Sequence, residues 1–208
     1  MEDINIKRVD GYDDERFSKR ALLQHGCFIV DGKFPFEIII TGKNSGVIKG
    51  NETRYFNKVI DEFRFYSGHI TIFYDNNGKL IKKFNDISLF KIPLIKIQPS
   101  QFFVDRDKVK AVSSFIKSEE DVIVPVFKDG DSYISLDGHS RLKYASNLNF
   151  DYVFGYLTEI DDFIFDFVKE AKRRKVASPF TLVELSHFDY VDKWYDFCDR
   201  YFNSDNSF

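Results

Sequence analysis

One stretch of the chain gathers groups that could do chemistry. In residues 135–150, SLDGHSRLKYASNLNF, the end of a strand turns on Asp137-Gly138 and becomes an amphipathic helix with His139, Ser140 and Arg141 at its entrance. The first turn of a helix carries unpaired N–H groups and partial positive charge, which suits an anion. Gly138 lets a ligand come close to the backbone, His139 and Ser140 can donate hydrogen bonds, and Arg141 has a planar fork that fits phosphate oxygens. Asp137 could hold Mg²⁺ beside those phosphates, orient His139, or simply cap the helix. Ordinary turn chemistry accounts for the same residues with Asp137 as cap, Gly138 at φ > 0, and His139 and Arg141 exposed by chance.

Other candidates have plainer readings. His25 stands near Cys27, but Cys27 opens what reads as a buried strand and no third group orients the pair. Tyr66 and His69 flank a turn at Gly68, as a polar cluster at a helix end would. His187 falls in the first turn of the last helix. The basic run KRRK, residues 172–175, sits where it offsets a helix dipole.

Hydropathy patterning supplies the elements that must position the corner. Residues 13–25 have helical spacing, 26–41 read as two strands joined at Asp31-Gly32, and VIKG adds a short strand. Residues 53–68 form a helix with Phe56, Val59, Ile60 and Phe63 on one face, and 69–84 a hairpin turning at Asn77-Gly78. Residues 1–90 thus form an α+β unit of their own. Pro93 and Pro99 bracket a short strand, Leu94 to Ile97, at the boundary. A helix over 105–118 follows, with Val109, Val112, Phe115 and Ile116 inward, then strands in DVIVPVF and SYISL around Asp129-Gly130. The corner and its helix lead to the strand DYVFGYL, a helix over 161–175, and a last helix capped by Ser186 with Trp194, Phe197 and Cys198 on its buried face. The final NSDNSF is expected to fray.

Composition narrows the function classes. The 208 residues are 43% hydrophobic, enough for a sizeable core, and carry 30 basic and 33 acidic residues for a net charge of -3. No basic block could neutralise a run of phosphates, which argues against duplex DNA as a partner. The 24 phenylalanines lie among Ile, Val and Leu, as core and interface residues do, and leave room for a homodimer. Cys27 and Cys198 are far apart and form no metal-ligand spacing, so a reduced, cytoplasmic protein is expected. The polar start lacks an apolar signal region, and no run approaches the roughly 18 apolar residues that would span a membrane.

The order of elements over residues 91–158 resembles the ParB/sulfiredoxin superfamily: a short strand ending in Pro99, a helix, a strand containing Pro125-Val126, a hairpin, and a Gly138-x-x-Arg141 corner opening a helix. Residues 161–198 look like the helical tail of ParB-like bacterial proteins with an Asp-Gly-His-Thr-Arg corner. The resemblance implies an α+β fold with an N-terminal domain at 1–90, a ParB/sulfiredoxin-like domain at 91–160 and a helical extension at 161–208. It also implies a nucleotide or other phosphorylated ligand at Gly138, His139, Ser140 and Arg141, with Gln101 beside them.

Within that superfamily the corner narrows the chemistry further. Sulfiredoxins place a catalytic cysteine where this chain has His139, which excludes sulfinic-acid reduction. Partition proteins carry Gly-Glu-Arg-Arg, of which only Gly138 and Arg141 match, and no reading helix follows here. Free serine kinases have an Asp-Gly-x-His-Arg corner, which DGHSR approaches with the histidine one place earlier. Their catalytic glutamate corresponds to Gln101, and an amide cannot act as a base, so either another carboxylate, such as Asp105 or Asp137, takes the role, with His139 donating a hydrogen bond or shuttling a proton, or the chain is not such a kinase. The resulting expectation is a nucleotide-binding protein, with Mg²⁺-dependent phosphoryl transfer as its enzymatic form. The alternative is a non-catalytic regulatory module with a protein partner on residues 1–90.

Overall fold

The structure, a computed structural model, describes residues 4–203. It is a mixed α+β protein whose chain divides into two compact units, Met1–Ile87 and Ser88–Phe208. The expectations for residues 1–3 and for the tail 204–208 lie outside the described residues.

The first unit is a six-stranded sheet in the order β1 (Ile6–Arg8), β2 (Cys27–Val30), β3 (Phe34–Ile40), β4 (Ser45–Gly50), β5 (Ile72–Tyr74) and β6 (Leu80–Lys83). Neighbours pair antiparallel except β4 and β5, whose parallel pairing needs the crossover helix α2 (Phe56–Tyr66). Phe56, Val59, Ile60 and Phe63 of α2 are buried, as their 3.6-residue spacing requires, and they meet Phe28, Phe36, Ile48 and Phe73 from the sheet. Both expected hairpins form, with Gly32 and Gly78 at positive φ in their turns. The helix expected over 13–25 shrinks to α1 (Lys19–Leu23). Ser18 caps it by accepting from the Ala21 N–H, and Asp14 is held in a turn by Arg16.

The second unit is built on a five-stranded sheet, in the order β7 (Phe90–Pro93), β12 (Tyr152–Leu157), β10 (Ile123–Asp129), β11 (Ser132–Ser135) and β8 (Ile97–Pro99). β12 runs parallel to β10 and β8 parallel to β11, whereas β7 and the β10–β11 hairpin are antiparallel. A separate parallel pair joins β9 (Phe103–Asp105) to β13 (Val183–Leu185). Leu94–Lys96, expected as strand, is instead a 3₁₀ turn between β7 and β8. It lets the chain leave one edge of the sheet and enter the opposite one.

Five helices complete the described part of this unit. α3 (Arg106–Val112) is shorter than its pattern suggested; α4 (His139–Asn147) and α5 (Phe163–Arg173) follow it. α6 (His187–Tyr190) runs on through a π-helical turn, Val191–Tyr195, into α7 (Asp196–Asn203). Phe102, at the centre of the core, is fully buried and lies 5.1 Å from the Trp194 ring and 5.0 Å from Phe197. Phe167 and Ala171 of α5 join the same core, so the stretch after residue 160 packs with the sheet. Glu170 pairs with Arg173 and Arg174, which gives the basic run at the end of α5 a local partner.

Candidate functional site

The corner is made where β11 stops and α4 starts. Gly138 has φ +78° and is buried; a Cβ there would lie 2.7 Å from Val124 Cγ1 and 3.0 Å from the Arg141 guanidinium. Glycine is therefore required both by backbone conformation and by close packing. No side chain caps α4, so the N–H groups of His139, Ser140 and Arg141 lack intrahelical partners and are left without a cap. Asp137 is not the cap that turn chemistry suggested. Its exposed carboxylate lies 3.6 Å from Nη2 of Arg141 instead.

The structure brings His139 and Gln101 together, but through the interior. His139 is 6% exposed, and its Nε2 lies 3.2 Å from the Gln101 backbone nitrogen, 3.2 Å from Ser100 Oγ and 3.3 Å from Ser135 Oγ. A backbone N–H can only donate, so Nε2 is the acceptor and the neutral ring carries its proton on Nδ1. Burial pushes the imidazole down from its ordinary 6.5 to about 4, against the opposing pull of Asp137 and a hydrogen bond to the Ser135 backbone. His139 is thus a neutral tie that binds the start of α4 to the loop after β8. A chance exposed residue and a solvent-facing donor are both excluded by this burial.

Arg141 and Gln101 are also committed to the frame. Arg141 is half-buried and donates from Nη1 to the Ile123 carbonyl at 2.6 Å, fastening α4 to the start of β10. The amide of Gln101 donates from Nε2 to the Tyr190 hydroxyl at 2.8 Å, reaching α6. Ser140 alone among the corner side chains is partly exposed without a bond to the frame. Among the groups weighed in sequence, Asp137 and Ser140 remain at the surface, while Gly138, His139, Arg141 and Gln101 build the support beneath the free N–H groups.

The remaining candidates resolve simply. Cys27 is fully buried, which pushes its thiol up to about 12 and makes it inert as a nucleophile. His25 meets Tyr12 Oη at 3.2 Å, His69 is buried, and the Tyr66 ring lies beneath the Arg8 guanidinium at 3.8 Å.

Sequence reasoning did not assemble a second constellation. Asp105, at the end of β9, caps α3 by accepting from the Asp107 N–H at 2.8 Å, and its other oxygen lies 2.7 Å from Nδ1 of His187. Asp105, Asp107 and His187 are the one group of three or more potential metal-ligating side chains among the described residues. The Asp-x-Asp spacing at a helix entrance was a visible signal for two of them. Nothing local linked them to a histidine 82 residues on.

No family model and no curated protein matches this chain. Among solved structures, it is similar to protein Atu1540 from Agrobacterium tumefaciens, with 18% identity over 46% of this chain and a TM-score of 0.30. The match spans about half of that protein, 53%. No helix among the described residues is long and apolar enough to cross a membrane.

Proposed function

We propose that residues 88–208 form a binding unit for a nucleotide or another phosphorylated small molecule, with a phosphate seated on the first turn of α4. The observation that carries this reading is the uncapped helix start at Gly138, whose free donors rest on hydrogen-bonded His139 and Arg141. Oriented N–H groups and the helix dipole favour an anion there, and the Ser140 hydroxyl adds a donor. Arg141 contributes its positive charge from below the corner while its fork holds the Ile123 carbonyl. The resemblance to the ParB/sulfiredoxin superfamily rests on the same corner and points to the same ligand class.

Binding without turnover fits these groups better than phosphoryl transfer. His139 faces inward, Gln101 is an amide engaged with Tyr190, and Asp137 faces a guanidinium, so no base is aimed at the free donors. Mg²⁺ enters only as the ligand's counter-ion. Asp137 offers one exposed carboxylate, and an ion there would keep most of its waters.

The test is a thermal-shift panel of nucleoside mono-, di- and triphosphates, with and without Mg²⁺, on the native chain and on Ser140→Glu. The variant places negative charge at the helix start without touching the frame. A ligand present at a hundred times its Kd adds about 2.7 kcal/mol of apparent stability. The expected result is stabilisation by one nucleotide class that Ser140→Glu abolishes. No shift with any phosphate compound would favour the regulatory module with a protein partner.

A further inference from the structure

We infer that Asp105, Asp107 and His187 form a binding site for a divalent transition cation. The site goes beyond the phosphate corner and does not depend on it. One ligand atom from each residue lies within 4.8 Å of the others. That places two carboxylates close enough to repel each other across a partly dry site, which a cation between them would relieve.

The site is built by the fold. β9 and β13 pair in parallel with Leu185 opposite Asp105, which fixes the strand carrying Asp105 against the segment that delivers His187 two residues later. The cap bond from the Asp107 N–H to Asp105 then sets the first turn of α3, and with it the second carboxylate. Asp105 is the buried member, its side chain only 1% exposed, with one oxygen on the Asp107 N–H and the other turned to His187. His187 is 63% exposed and Asp107 is also exposed, so an ion has an open path in and free positions for water.

The donor set selects the ion class. One imidazole and two carboxylates suit Zn²⁺, Mn²⁺ or Fe²⁺ in a three-ligand arrangement with open positions. Ca²⁺ takes about six to eight oxygen ligands and is poorly served by this set.

The experiment is calorimetric titration of Zn²⁺, and separately Mn²⁺, into chelator-treated full-length protein with no nucleotide present. Native chain, His187→Ala, Asp107→Asn and Asp137→Asn are compared. One ion per chain is expected, with affinity weakened at least tenfold by either of the first two substitutions and unchanged by Asp137→Asn. Circular dichroism checks each fold, and Asp107→Asn alone suffices if His187→Ala unfolds. Equal affinity in Asp107→Asn and native protein, or no saturable binding of either ion, would overturn the site. Because the cation is titrated alone, failure here is separate from failure of the phosphate reading.

Discussion

The two units solve the problem of an interior differently. Among the described residues, the buried polar side chains of the first unit are His69 and Thr71, and those of the second are Gln98, Ser100, Asp105, Ser135, His139, Ser146 and Ser178. Burying a polar group costs free energy unless a partner is supplied, and in the second unit the partners are supplied across elements. Gln98 donates to the Pro99 and Val176 carbonyls, Ser146 to Pro179, and His139 gathers Ser100, Ser135 and Gln101. In the first unit the helix meets the sheet mainly through apolar side chains, with Phe56, Val59, Ile60 and Phe63 of α2 against Phe28, Phe36, Ile48 and Phe73. The network in the second unit fixes the orientation of particular groups, which is what a binding site requires.

The largest expected effects are those in which the units behave alike. Phe63 and Phe102 are both essentially fully buried at the centres of their cores. Replacing either by Ala should cost about 3–5 kcal/mol in urea unfolding, the usual range for a buried Phe. The two differ in optical signature, since the single tryptophan, Trp194, lies 5.1 Å from the Phe102 ring. Phe102→Ala should change native-state Trp emission and Phe63→Ala should not. A loss below about 1 kcal/mol for either would mean that its site collapses on truncation and is not a rigid core.

The polar frame sharpens the contrast through pH. His139 is pushed down from 6.5 to about 4 on folding, so the unfolded chain takes up its proton first. The stability linked to the neutral ring is present in full above pH 6.5 and is lost as pH falls toward 4. The slope approaches about 1.4 kcal/mol per pH unit for one proton. His139→Gln should be less stable than the native chain at pH 7.5, because an amide cannot satisfy all the same partners, yet less sensitive to acid between pH 6.5 and 4.5. Urea titrations at several pH values give both quantities. Parallel pH profiles for the two proteins would remove His139 from the account.

The same contrast explains what could be read before folding. The periodicity of α2, the Asp31-Gly32, Asn77-Gly78 and Asp129-Gly130 turns, and the corner at Gly138 were all legible, because each is set by local spacing or local backbone freedom. Residues 94–96 read as strand because they are apolar and lie between prolines. Their 3₁₀ turn is imposed by the need to reach the far edge of the sheet, and that need is tertiary. The site residues divide in the same way. Their identity at the corner was visible, but the direction of His139 and Arg141 depends on Ser100, Gln101 and Ile123, which come from elsewhere in the chain. The Asp105–His187 pair was hidden for that reason as well: β13 must first align on β9.

The smallest effect belongs to the surface charges of the first unit. Lys82 donates to Asp61 at 2.6 Å, linking β6 to α2, and the aspartate is 54% exposed. Water screens such a pair, and holding two side chains in one geometry costs entropy, so exposed pairs contribute about 0–1 kcal/mol. Asp61→Asn should lower stability by no more than about 0.5 kcal/mol, and the difference should vanish in molar salt, where the Debye length is about 3 Å. A salt-independent loss above about 1 kcal/mol would show that this pair fixes the position of α2 on the sheet. The first unit would then also rely on a specific polar tie, and the division of labour between an apolar unit and a polar-framed one would fail at that point.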